Sequence, residues 1–201
     1  MEVKPPLASP NSIKDMEKQQ LAIHNIKYSC FVNRTKLKKC LWETRHQDGA
    51  PGDFGSYLSR RFSTFTYFAF PSSGTLNVAN CKCEDDILKS LEIFMDRVGL
   101  DEGDMLSPTK INNLTAVGCY GAEINLGALA MQLCQNENKE ELKIKQVTLS
   151  QRHFVCLRVK FQPKGLISIF ASGKFNIVGF SDVNKVRKLY KSLCEKISKT
   201  M

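Results

Sequence analysis

Ser72-Ser73-Gly74-Thr75-Leu76-Asn77-Val78-Ala79-Asn80-Cys81-Lys82 and Ala171-Ser172-Gly173-Lys174-Phe175-Asn176-Ile177-Val178-Gly179-Phe180-Ser181 say nearly the same thing. In each, an aromatic-rich apolar run ends in a small-residue turn, and a short strand-like stretch carrying one Asn leads on to a helix-like segment. A second echo lies upstream, Ile23-His24-Asn25-Ile26 against Ile111-Asn112-Asn113-Leu114. The echoes are offset by 99 and 88 residues, which reads as a tandem duplication with a roughly ten-residue insertion in the second half. Two copies of one half-fold build a pseudo-two-fold object, and such an object suits a partner with its own near-dyad, duplex DNA above all.

Working outward, Ala22 to Val32 reads as a strand, and Thr35 to Thr44 as a short basic helix with Leu37, Leu41 and Trp42 inward. After a Gly/Pro loop from His46 to Asp53, strands are expected from Phe54 onward, with Phe62, Phe65, Tyr67, Phe68 and Phe70 crowding one apolar run. Ser72-Ser73-Gly74 is a tight turn, because Gly supplies the permissive backbone a hairpin needs. Leu76 to Ala79 follows as a strand, and Glu84-Asp85-Asp86 opens a helix ending near Val98-Gly99, acids first as the helix dipole favours. The second half repeats the order: a strand over Ile111 to Tyr120, a helix over Leu126 to Cys134, and strands over Phe154 to Phe161, Leu166 to Phe170 and Phe175 to Val178. Asp182 then caps a closing helix whose Val186, Leu189, Leu193 and Ile197 share one face. The reading divides the chain into a flexible tail (1–20), a first repeat (21–100), a linker (101–109) and a second repeat (110–201), with charged extra residues around 135–151. Five antiparallel strands per half with helices on one side give an α+β fold: one curved ten-stranded sheet with an open face.

Composition agrees with a polyanionic partner, since 29 basic residues against 20 acidic ones give a formal charge of +9. The eight cysteines form no Cys-x-x-Cys pair and several sit in apolar runs, so they are expected to be reduced, mostly buried thiols of an intracellular protein. The three histidines are scattered, and neither metal-ligand spacing nor a phosphate-cradling Gly-rich loop is present. Neither a cofactor, a metal nor an enzymatic activity is therefore expected, and no stretch is apolar enough to span a membrane. The Met1–Asn11 segment, with Pro5, Pro6 and Pro10, reads as a tail rather than a signal peptide.

The order of these elements, and above all Ile169-Phe170-Ala171-Ser172-Gly173-Lys174, resembles the TATA-box-binding protein family, whose second repeat has Ile-Phe-Val-Ser-Gly-Lys. Pro51-Gly52-Asp53-Phe54 and Lys82-Cys83-Glu84-Asp85-Asp86 are similar to that family's Pro-Lys-Arg-Phe and Lys-Ser-Glu-Asp-Asp, and the resemblance spans residues 22 to 198. Its divergence and cysteine content look more like the TATA-binding-like proteins of large nucleocytoplasmic DNA viruses. The resemblance implies a saddle whose concave sheet lies in the minor groove of A·T-rich promoter DNA, where phenylalanines wedge between base steps and kink the duplex. It also implies a transcription factor IIB-like protein and the RNA polymerase machinery as partners. The chain would act as a monomer on DNA, in the nucleus or, if viral, in a cytoplasmic virus factory.

Carried over by position, Asn25 and Asn113 match the central asparagines that donate to minor-groove acceptors. Phe170 and Phe154 match the second-repeat wedges, with His153 competing for the outer place. Phe54 matches one first-repeat wedge, and Pro71 stands where the other would be unless a shifted turn brings Phe70 there. Arg60 and Lys160, each six residues after a wedge Phe, match a backbone-contacting arginine, and Ser73, Lys82, Ser172 and Lys174 match contacts at the sheet margin. Lys27 and Thr115 stand where the family has valines, as do Asn77 and Asn176, while Ser168 and Ala69 replace leucines. Each such change removes burial worth roughly 1–2 kcal/mol and adds a polar group needing a partner. The stretch expected to meet factor IIB is Ser150-Gln151-Arg152-His153, without an acid, which points to a charge-altered partner. The resulting expectation is a general transcription factor that binds and bends promoter DNA to nucleate initiation. The alternative is a saddle-fold protein-interaction module with weak or no TATA-specific binding.

Overall fold

The computed structural model describes residues 20–44, 58–150 and 155–200. Two runs of elements follow one another in the same order. The first is β1 (Gln20–Phe31), α1 (Arg34–Thr44), β2 (Leu58–Phe62), β3 (Phe65–Phe70), β4 (Thr75–Cys81) and α2 (Glu84–Val98). After a single 3-10 turn over Glu102–Asp104 come β5 (Lys110–Cys119), α3 (Leu126–Cys134), α4 (Asn136–Leu142) and β6 (Ile144–Ser150). The chain closes with β7 (Cys156–Phe161), β8 (Leu166–Phe170), β9 (Lys174–Phe180) and α5 (Val183–Ser198).

The described strands form one antiparallel sheet in the order β2-β3-β4-β1-β5-β9-β8-β7-β6. The order mirrors itself about the β1–β5 seam, β2, β3 and β4 answering β7, β8 and β9. Nine strands are described rather than ten, because a first-half counterpart of β6 would fall within residues 45–57, outside the described residues.

The repeated turn shows why the echo decides the fold. Gly74 and Gly173 both have positive φ (74° and 81°), and a Cβ at either would collide with a backbone carbonyl oxygen, of Val32 and Ala122 respectively. Their own carbonyls receive equivalent backbone bonds, from Val32 N–H and Tyr120 N–H, each at 2.8 Å. Only glycine fits both the conformation and the approach.

Helix boundaries follow their caps. Asp182 accepts from Lys185 N–H at 2.9 Å to start α5, and Asn125 accepts from Ala128 N–H at 3.0 Å to start α3. Gly99, left-handed at φ 75°, ends α2 with its N–H bonded to the Met95 carbonyl. In the linker, the Lys36 ammonium lies 3.0 Å from Asp104, whose carboxylate also accepts from Asp101 N–H. The backbone bond first, and then the lysine, hold that carboxyl below its ordinary range.

One face of the sheet carries the core. Strand residues such as Tyr28, Tyr67, Val78, Ile167, Phe175 and Ile177 are buried, and Tyr67 stacks on Phe94 of α2 while Phe175 meets Tyr190 of α5 edge-on. The intervening residues face away from the helices. No helix among the described residues is long and apolar enough to cross a membrane.

The segment read as a charged insertion is instead a helix and a strand. Its charges hide the pattern: only Asn138, Leu142 and Ile144 are buried, and α4 is fastened by Lys196 of α5, which donates to Asn138 Oδ1 at 2.6 Å and meets Glu141 at 2.7 Å. β6 then pairs with β7 as the sheet's edge.

Candidate nucleic-acid interface

Antiparallel partners share a face, so strand pairing fixes what the helix-free side displays. At the β1–β5 seam Asn25 pairs with Thr115 and Lys27 with Asn113, placing the four predicted central residues around the pseudo-dyad. The inner rows run Arg61–Thr66–Ala79 on the first-half side and Lys160–Leu166–Val178 on the second. The next rows outward are Ser59–Phe68–Asn77–Ser29 and Arg158–Ser168–Asn176–Val117. At the ends lie Phe70, Thr75 and Phe31 on one side, and Phe170, Lys174 and Cys119 on the other. Phe31 is 50% exposed.

The electrostatics are one-signed. Lys27, Arg61, Lys110, Arg158, Lys160 and Lys174 occupy this face, and none of its described strand positions is acidic. The described carboxylates lie on helices and in the loops around them.

The two central asparagines are held by the same device. Asn25 Oδ1 accepts from Asn80 N–H at 2.8 Å, and Asn113 Oδ1 accepts from Gly179 N–H at 2.9 Å. Asn80 and Gly179 are themselves equivalent positions, both with positive φ (75° and 84°). The oxygen of each central carboxamide is thereby spoken for, which leaves its NH2 as the free end, a donor. Sequence reasoning missed Asn80 and Gly179. The signal was present in the quoted echoes, since Asn and Gly are the residues that tolerate the left-handed backbone.

Several predicted positions move. Phe70, not Pro71, answers Phe170: each ends its strand, and its carbonyl accepts from the N–H of Gly74 or Gly173, at 2.9 and 3.0 Å. The first-half turn is one residue longer, so Pro71 falls within it. The same shift corrects Ala69, which is buried against the helices (2% exposed) and is not on the open face; Phe68 holds the place that Ser168 has in the second half. Arg60 pairs with the buried Tyr67 and so points to the helix side, donating to its neighbour's carbonyl, Ser59 O, at 3.0 Å. Arg61 takes the open-face place that answers Lys160, because Phe62 is drawn into the core beside Tyr67 and Phe94 and sets the parity of β2.

Ser73 and Ser172 are exposed in equivalent turns, Ser73 Oγ lying 2.8 Å from Thr75 Oγ1. Lys82 is exposed beyond β4, its backbone N–H bonded to Asp86 at 2.7 Å. Phe54 and Phe154, together with His153, lie outside the described residues. Of the cysteines, Cys30, Cys81, Cys156 and Cys194 are buried free thiols, Cys119 is half-buried, and Cys83 and Cys134 are exposed. No group of His, Cys, Asp and Glu among the described residues could hold a metal ion.

A pseudo-symmetric antiparallel sheet, helix-covered on one side and basic on the other, defines a class: the two-repeat saddle proteins. Residues 108–200 match the family model described as "Transcription factor TFIID (or TATA-binding protein, TBP)". Among solved structures the chain is similar to Methanococcus jannaschii TBP, with a TM-score of 0.64 and 20% identity, covering 90% of this chain and 99% of that one. A rolling circle replication initiator protein from Geobacillus stearothermophilus is matched over 89% of this chain and 80% of its own, at a TM-score of 0.34 and 10% identity, too low to bear on the fold. No curated protein matches the chain. The second half of the chain thus matches the TATA-binding protein family model by sequence, and the chain shares the fold of an archaeal TATA-binding protein.

Proposed function

We propose that this protein is a general transcription factor that lays the open face of its saddle in the minor groove of A·T-rich promoter DNA and bends it to nucleate initiation. The observation that carries this reading is the paired asparagine lock: Asn25 and Asn113, their oxygens held by Asn80 and Gly179, present donors at the centre of a basic face whose described strand positions include no acid. The minor-groove edge of A·T pairs offers only acceptors, adenine N3 and thymine O2, which is the complement. Lys27 adds positive charge at the centre, and Arg61, Arg158, Lys160 and Lys174 lie outward of it, where phosphates would run. Phe70 and Phe170, which end equivalent strands at the two ends of the face, are suited to wedge between base steps. The match of residues 108–200 to the TATA-binding protein family model extends the proposal to a factor IIB-like partner, the polymerase machinery, a nuclear site of action and a non-enzymatic role.

The test is a gel shift of a pool of A·T-rich duplexes against random duplexes over a salt series, with bending measured by circular permutation. A bent, salt-sensitive complex on the A·T-rich pool is expected. An unbent or absent complex would instead favour a saddle-fold protein-interaction module, the reading suggested by the polar Asn77, Ser168 and Asn176 on this face.

A further inference from the structure

We infer that Asn77 and Asn176 are specificity residues that select guanine at two dyad-related positions flanking the centre of the bound duplex. The inference rests on the minor-groove reading above and narrows it to a sequence preference. The two residues occupy equivalent places on the open face, Asn77 between Phe68 and Ser29, Asn176 between Ser168 and Val117. Each lies in the row next outward from the inner rows.

Their chemistry differs from that of the central pair. Asn25 and Asn113 spend their oxygens on backbone N–H groups and present donors alone. Among the described residues neither the Asn77 nor the Asn176 carboxamide has a hydrogen-bond partner, so each presents an acceptor and a donor together. In the minor groove only a G·C pair offers a donor, the guanine N2 amino group, and it stands beside the N3 acceptor. A carboxamide matches that edge with both ends: its oxygen accepts from N2 and its NH2 donates to N3. Against an A·T pair the oxygen would face only acceptors and be desolvated without a partner, which disfavours that pair. Two such residues at symmetric places predict an A·T-rich core interrupted by one G·C pair on either side.

The experiment selects duplexes from a randomised pool with the intact chain, then measures affinity for the selected duplex and for the same duplex with inosine replacing each flanking guanine. Inosine lacks the N2 amino group and keeps N3. Enrichment of G·C at two symmetric positions is expected, with a loss of about tenfold in affinity per inosine. The double variant Asn77→Leu/Asn176→Leu should bind A·T-only duplex at least as tightly as the parent and be indifferent to inosine. Selection of uninterrupted A·T sites, or equal affinity for guanine and inosine duplexes, would overturn this inference while leaving minor-groove binding intact. Failure to bind any duplex would overturn both. The inosine comparison uses the unaltered protein, so it decides even if the double variant does not fold.

Discussion

The two ends of the open face share a backbone and differ in chemistry. The first-half end is aromatic, with Phe31, Phe68 and Phe70 and, among the described residues, no cation on its outer rows beyond Lys110. The second-half end keeps one aromatic in the corresponding strands, Phe170, and carries Arg158 and Lys174 among Ser168, Asn176 and Val117. Duplication kept the turn glycines, the strand pairings and the asparagine locks, in which a side-chain oxygen meets a backbone N–H, and left the other open-face side chains to diverge. A partner docked on this face therefore meets stacking surface at one end and charge at the other, which distinguishes its two orientations.

The comparison breaks most sharply where the halves agree. Replacing Gly74 or Gly173 with Ala puts a Cβ against a carbonyl oxygen at a left-handed position, in each half alike. Each variant should lose about 3 kcal/mol, strain and overpacking together, read as a lower midpoint in urea. Equal losses would show that the halves bear equally on one cooperative unit; a large loss at only one would show that they unfold separately.

A second difference lies beneath the sheet. In the first half, Tyr28 OH is 2.7 Å from Ser90 Oγ, Tyr67 donates to Ser90 O at 2.7 Å, and Ser90 donates to Ile87 O at 2.8 Å. Burial pushes both tyrosines far above their ordinary range. The counterparts of Tyr28 and Tyr67 in the second half are Ala116 and Ile167, both fully buried and without polar side-chain atoms. Ser90→Ala should therefore cost about 1–3 kcal/mol by leaving the Tyr28 hydroxyl only its long, 3.4 Å bond to the Ile87 carbonyl. Adding Tyr28→Phe should recover part of that loss, so the double variant falls short of the sum of the singles in a denaturant cycle. Simple additivity would mean that the hydroxyl finds another partner.

Charge sharpens the comparison at the surface. Arg158→Ala, Lys160→Ala and Lys174→Ala should each flatten the logarithmic salt dependence of duplex binding by about 0.9 per lost phosphate contact. Phe68→Ala and Phe70→Ala should weaken binding with that slope unchanged. A slope that responds to the phenylalanines and ignores the cations would reverse the division of labour drawn here.

Much of this architecture is legible in the chain, and its failures have physical reasons. The glycine turns, the Asp182 cap and the Gly99 stop are local requirements of backbone and hydrogen bonding, so the residues declare them. Side-chain parity is not local. Arg60 and Arg61 are neighbours of one type, and only the burial of Phe62 decides which faces the helices. A single extra turn residue at Pro71 shifts β3 by one and exchanges Ala69 with Phe68. The helix and edge strand over 136–150 escaped notice because an edge element buries few residues, and charges such as Glu137, Lys139 and Glu140 filled the rest. The asparagine locks were written in the echoes, but their meaning required knowing that Asn80 and Gly179 are left-handed.

The smallest expected effect concerns pH, and here the halves are alike again. Burial pushes the Cys30 thiol in the first half up from 9.0 to about 11, and that of Cys194 in the second half likewise to about 11. Between those values the unfolded chain ionises thiols that the folded chain keeps protonated, so the folded state binds more protons. Stability is then fully present below about pH 9 and declines as pH rises towards 11. The buried tyrosines Tyr28, Tyr67 and Tyr190, all shifted upward by burial, extend the decline to higher pH. Cys30→Ala and Cys194→Ala should each flatten the fall of the urea midpoint between pH 9 and 11, by similar amounts. A fall that neither substitution alters would assign alkaline sensitivity to the tyrosines alone, and unequal flattening would show that one half opens its core before the other.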